Sequence, residues 1–140
     1  MTLKLNDPAL LKTAGYINGQ WRDRGSRFAV NNPASGDLIA EVADLGAQDT
    51  RDAIFAAEQA MLRWRDTSAK ERSKVLRRWF DLMTANDEDL ARLMTAEQGK
   101  VLSESRLEIT YAASFLEWFA EEAKRIYVDV IPGTADRRSI

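Results

Sequence analysis

The 140-residue chain contains no cysteine and no histidine. The first absence removes disulfides, thiolate metal sites and thiol nucleophiles at once. The second removes the side chain whose ordinary pKa lies closest to neutrality, and with it the commonest general base and metal ligand. An enzyme without either residue leans on paired carboxylates, a tuned lysine or a bound cofactor, and each of these needs a recognisable constellation. An excess of charge is also missing, because 20 basic and 22 acidic residues leave a net charge of -2. No basic field exists to condense on phosphate backbones or anionic lipid, so neither nucleic acid nor a membrane surface is an expected partner. The chain has no apolar run of the roughly 18 residues that a membrane span needs, and Met1 to Pro8 lacks a signal-peptide core, so a cytoplasmic location is expected.

Glycine and proline are few, with seven and three, and most fall in the first third, where turns and short strands are expected. Gly15-Tyr16-Ile17-Asn18-Gly19-Gln20-Trp21 reads as two brief strands about an Asn-Gly turn, since both turn residues accept positive φ cheaply. Phe28-Ala29-Val30 and Leu38-Ile39-Ala40-Glu41-Val42 flank Asn32-Pro33-Ala34-Ser35-Gly36-Asp37, a second hairpin in which Pro fixes φ and Gly permits the reversal.

Beyond Gly46 the apolar period becomes helical, and Gly99 is the sole Gly or Pro before Pro132. Four helices fit. The first, Ala47 to Trp64, repeats Ile54, Ala57, Met61 and Trp64 as one stripe expected to be buried, with Gly46 as N-cap and Asp49 as the acid of the first turn. The second opens on Ser68-Ala69-Lys70-Glu71, a capping box, and carries Val75, Leu76, Trp79, Phe80 and Met83 on its apolar face. The third, Asp87 to Gln98, buries Leu90, Leu93 and Met94 and ends at Gly99, a left-handed terminal residue. The fourth, Leu102 to Ile126, has two stripes: Leu102, Ile109, Ala113, Leu116, Ala120 and Ala123 on one, and Tyr111, Phe115, Trp118 and Phe119 on the other. Two apolar faces need two sets of neighbours, and this chain supplies one, so the other is expected outside it. Tyr127 to Ile131 alternates like a strand that also needs a mate.

Candidate chemistry is sparse. Glu104, Glu108, Glu117, Glu121 and Glu122 on the fourth helix suit acid-base work or a divalent ion, but with no ligand loop beside them they read better as a solvated face. Gly99-Lys100 lacks the upstream glycine and the following Ser or Thr of a phosphate loop and reads as helix punctuation. The basic run Lys70, Arg72, Lys74, Arg77 and Arg78 is likewise a solvated face. Trp21, Trp64, Trp79 and Trp118 suit a ligand cage, although core packing is the simpler expectation. Tyr111 and Phe115, one helical turn apart, are placed to wall a small-molecule pocket.

The order of Leu5-Asn6-Asp7, Tyr16-Ile17-Asn18-Gly19-Gln20-Trp21, Asn32-Pro33-Ala34-Ser35-Gly36, Ala69-Lys70-Glu71-Arg72, Ala96-Glu97-Gln98-Gly99-Lys100 and the block Tyr111 to Glu122 resembles the start of aldehyde dehydrogenases. The Ile-Asn-Gly-x-Trp, Asn-Pro-Ala-x-Gly and Glu-x-Gly-Lys elements are similar to those of the family at large. The Leu-Asn-Asp start and the aromatic block resemble its bacterial succinate-semialdehyde branch. The resemblance covers essentially the whole chain.

This resemblance implies a mixed α/β fragment with two N-terminal β-hairpins, four helices and one C-terminal strand. Residues 1–126 would begin the cofactor-binding domain, and residues 127–140 the oligomerisation strand region of a homo-oligomer. It implies NADP or NAD as cofactor and a small aldehyde as substrate. The reacting cysteine, the water-activating glutamate and the oxyanion donors would lie beyond Ile140, leaving this chain with no catalytic and no cofactor-binding residue of its own. Tyr111 and Phe115 match the substrate-funnel wall. The Asn31 carbonyl and the Glu97 carboxylate match positions that hold a structural monovalent cation. The sequence departs from the family at Val101, where proline is usual, which should loosen that helix start slightly. Glutarate semialdehyde remains an alternative substrate, and a non-catalytic helical binding module an alternative role.

Overall fold

A computed structural model describes residues 3–125. The first hairpin pairs β1 (Gly15–Ile17) with β2 (Gln20–Arg22), Tyr16 opposite Trp21. Its turn takes φ of 50° at Asn18 and 77° at Gly19, the double left-handed conformation whose twist matches a two-residue hairpin. The second hairpin pairs β3 (Arg27–Asn31) with β4 (Leu38–Ala43), and its register slips between Val30 and Asn31. Its loop is closed by Asn32, whose amide donates to the Asp37 carbonyl at 2.9 Å and whose Oδ1 accepts from the Ala34 amide at 2.9 Å.

Four helices follow: α1 (Ala47–Trp64), α2 (Ala69–Ala85), α3 (Asp87–Gln98) and α4 (Leu102–Glu122). Their ends follow the expected chemistry. Gly46 is the N-cap of α1, and Asp49 both accepts a backbone bond from Gly46 and receives the Arg24 guanidinium at 3.0 and 2.5 Å. Ser68 Oγ caps α2 by accepting from the Glu71 amide at 3.2 Å. The reciprocal half of the box differs from expectation: the Glu71 carboxylate takes Lys74 Nζ at 2.8 Å, a charged donor one turn ahead on the same face. Gly99 ends α3 at φ 72°, its amide on the Thr95 carbonyl. The fourth helix ends at Glu122, short of the expected Ile126, which lies outside the described residues, as does the strand expected over residues 127–131.

The core lies where α4 packs along both α2 and α3. It is made of small side chains: Ala91, Ala96, Ser105, Ala113 and Ala120 are buried, with Ile109 among them. Residues of that size let helix backbones approach closely. Ser105 and Thr95 hydroxyls meet at 2.8 Å, which satisfies the one hydroxyl sealed completely between α3 and α4.

Three expectations about burial fail, the first because Leu90, Leu93 and Met94 are only half-buried and α3 seals Asp89, Ala91 and Ala96 instead. The α1 stripe Ile54, Met61 and Trp64 is exposed, because α1 packs chiefly on β1 and no described element covers its other side. All four tryptophans are exposed by at least 41% of their surface, so they are not core residues of this chain. Helical periodicity located their stripes; it carries no information on which neighbour covers them.

Candidate functional site

The outer face of α4 carries the aromatic residues. Tyr111 and Phe115 are one turn apart and meet edge to face, ring centroids 4.8 Å apart at 78°. Both stay exposed, at 63% and 44%, beside Trp118 and Phe119. A shallow groove of about 620 Å³ runs past Tyr111, Ser114, Phe115, Trp118 and Arg125. The edge-to-face pair fixes the two rings against each other, and Ser114 donates its hydroxyl to the Tyr111 carbonyl at 2.7 Å, which leaves the Tyr111 phenol as the hydroxyl on offer to the groove. The chemistry on offer is apolar contact with a polar rim that includes Glu117, Glu121 and Glu122.

Asn31 and Glu97 sit at a second place, where the second hairpin meets the end of α3. A Cβ on Gly99 would lie 3.0 Å from Pro33 Cγ, so the hairpin loop and the helix terminus touch. Asn31 and Glu97 are each two positions from that contact, and both are exposed. Asn31 also lies at the register slip of β3, and such bulges re-aim backbone groups out of the regular ladder. The contact brings the two elements together; no bond joins the two residues.

Several of the remaining charged candidates form ion pairs. Arg77 on α2 donates to Glu117 on α4 at 2.8 Å and lies 3.6 Å from Glu121. Lys100 Nζ reaches Glu108 at 2.5 Å, and the Gly99 amide is already bonded within α3, so neither is directed at a phosphate. Among the described residues, no group of three His, Cys, Asp or Glu side chains is gathered for a metal ion, and no helix is long and apolar enough to cross a membrane.

Two polar clusters were not legible in the sequence. Glu88 on α3 accepts both nitrogens of a forked Arg106 from α4, at 2.7 and 3.0 Å, and Arg92 at 2.9 Å. These guanidiniums, Arg106 first, hold its carboxyl down at about 2, well below the ordinary carboxylate value. Asp89, its neighbour, is almost completely buried and accepts the amides of Asn6 and Asp7. Acids in a first helical turn are commonplace, so nothing in the spacing set these two apart.

The sequence profile of the Aldehyde dehydrogenase family matches residues 21–140. A glutarate-semialdehyde dehydrogenase of Pseudomonas aeruginosa is 55% identical over 99% of this chain and 29% of its own length. The NADP(+) succinate-semialdehyde dehydrogenase GabD of Escherichia coli is 55% identical with the same coverage. The crystal structure of an E. coli NADP-dependent enzyme superposes with a TM-score of 0.90 at 55% identity, over 96% of this chain and 29% of that one. The chain thus spans less than a third of the length of these relatives.

Proposed function

Because the chain belongs to the aldehyde dehydrogenase family, we propose that the complete protein oxidises succinate semialdehyde to succinate with NADP or NAD, and that these 140 residues shape and support its site without supplying a reacting group. The observation that carries the reading is 55% identity over nearly the whole chain to enzymes named for short semialdehydes. The nicotinamide cofactor supplies the hydride acceptor when bound. The residues present here do not fit it, since the Gly99 amide and Lys100 are committed within the chain, and the zero cysteine count leaves no thiolate to attack the carbonyl. Residues 1–126 then begin the cofactor-binding domain, and residues 127–140 the oligomer contact of a cytoplasmic homo-oligomer.

Tyr111 and Phe115 wall the substrate passage, where exclusion of water strengthens every polar contact deeper in. The Asn31 carbonyl and the Glu97 carboxylate hold a monovalent cation, which would pin the second hairpin to the end of α3. Replacing Tyr111 by Ala in the complete protein is expected to lower kcat/KM about tenfold, the scale of one apolar pocket contact. Potassium chloride should raise its Tm over choline chloride at equal ionic strength, and Glu97→Gln should abolish that difference.

Glutarate semialdehyde is the second reading, favoured by an equally similar relative. The two substrates differ by one methylene, worth about 0.8 kcal/mol of burial or roughly fourfold in rate, so pocket length decides between them. Steady-state kinetics of the complete protein on both semialdehydes and on an uncharged aldehyde of similar length tests the assignment. The highest kcat/KM is expected for succinate semialdehyde; an equal or higher value for the uncharged aldehyde removes the semialdehyde reading.

A further inference from the structure

Asp89 is only 3% exposed, yet it is an acid at the first turn of α3. One oxygen accepts the Asn6 amide at 2.9 Å and the other the Asp7 amide at 2.8 Å, across 83 and 82 positions of sequence. A buried carboxylate is tolerated only where donors replace its water, and bonds to an ionised acceptor are the stronger kind. The segment it grips is otherwise lightly held. Leu3 and Leu5 are half-buried while Lys4 and Asn6 face out. Arg92 reaches the Lys4 carbonyl at 3.4 Å, and the Pro8–Leu10 turn closes on itself through the Asp7 side chain and the Ala9 amide at 2.9 Å. Both amides converge on a single side chain, so losing that side chain frees the segment at one point.

We propose that residues 3–10 form a strap that opens and closes as a unit across α3, with Asp89 as its clasp, while the helices beneath stay folded. Release uncovers the Asp89 carboxylate and exposes the half-buried Leu3 and Leu5. The clasp reads main-chain amides, so it is indifferent to the side chain at position 6 but not to a proline there, which has no amide to give.

Hydrogen exchange on the complete protein tests this. The Asn6 and Asp7 amides are expected to exchange together, at least about tenfold slower than free peptide and faster than the slowest amides of α3, the behaviour of a local opening. Asp89→Asn and Asn6→Pro should each speed exchange at Asp7 and tryptic cleavage after Lys4 about tenfold, the equivalent of one lost charge-assisted bond. Exchange within α3 should hold steady, and Asn6→Ala should change neither rate. Exchange of the two amides at the free-peptide rate in the unmodified protein would overturn the clasp, and exchange only with the slowest α3 amides would overturn the separate opening. Those readings stand even if a variant fails to fold. Equal effects of Asn6→Ala and Asn6→Pro would also overturn it.

Discussion

The two apolar stripes of α4 lie on one helix and have opposite surroundings. Of the inner stripe, Ile109, Ala113 and Ala120 are buried, and Leu102, Leu116 and Ala123 half-buried, on the side where α2 and α3 pack; the outer one, Tyr111, Phe115, Trp118 and Phe119, faces out. Size separates them as much as burial does. Small residues seal a seam between helices that follow one another in the chain, whereas the large aromatic rings, which gain most from being covered, are left uncovered by every described element. The difference teaches that the described residues complete their internal packing largely with small side chains and leave the largest apolar groups to surfaces that the described elements do not provide. The exposed Ile54, Phe55, Met61 and Trp64 of α1 repeat the pattern, and patches of this kind mark interaction surfaces.

The largest effect that would sharpen this contrast is on the inner stripe. Ala113→Phe forces a ring into the seam and is expected to cost about 1–3 kcal/mol in urea unfolding, the usual penalty of overpacking. Gly99→Ala comes next, because it places a Cβ at φ 72° and 3.0 Å from Pro33; about 1 kcal/mol should be lost from thermal stability. Glu88→Gln acts through pH. The Glu88 carboxyl is held at about 2 against an ordinary 4.5, so its stabilisation is complete above 4.5 and is lost as pH falls from there toward 2. The variant should therefore be less stable near neutrality and show a shallower loss of stability across that window; an unchanged acid limb would contradict the pairing with Arg106 and Arg92. The smallest effect belongs to the outer stripe: Trp118→Ser should alter the unfolding free energy of the 140-residue chain by less than about 0.5 kcal/mol. A loss as large as that of Ala113→Phe would erase the contrast between the stripes.

Much of the fold was legible because its signals are local. Asn18-Gly19 set the first turn, Ser68 the start of α2, and Gly99 the end of α3, each through a conformation or cap that neighbouring residues determine. Burial was legible only where the covering element is present: the Ile109 stripe was found buried, the Ile54 stripe and the tryptophans were not. Of the candidate site, the Tyr111 and Phe115 pairing follows from one turn of helix. The approach of Pro33 to Gly99 and the grip of Asp89 on Asn6 and Asp7 join residues 66 to 83 positions apart, and no periodicity encodes such contacts. The capping box was half right because Lys74 offered Glu71 a charged partner in place of a backbone amide.

Dye binding tests most directly whether the outer aromatic faces await polypeptide that this chain lacks. ANS fluorescence should rise strongly with the 140-residue chain, fall with Trp118→Ser, and stay near baseline with the complete protein. A monomeric 140-residue chain that unfolds cooperatively and takes up no dye would contradict the account.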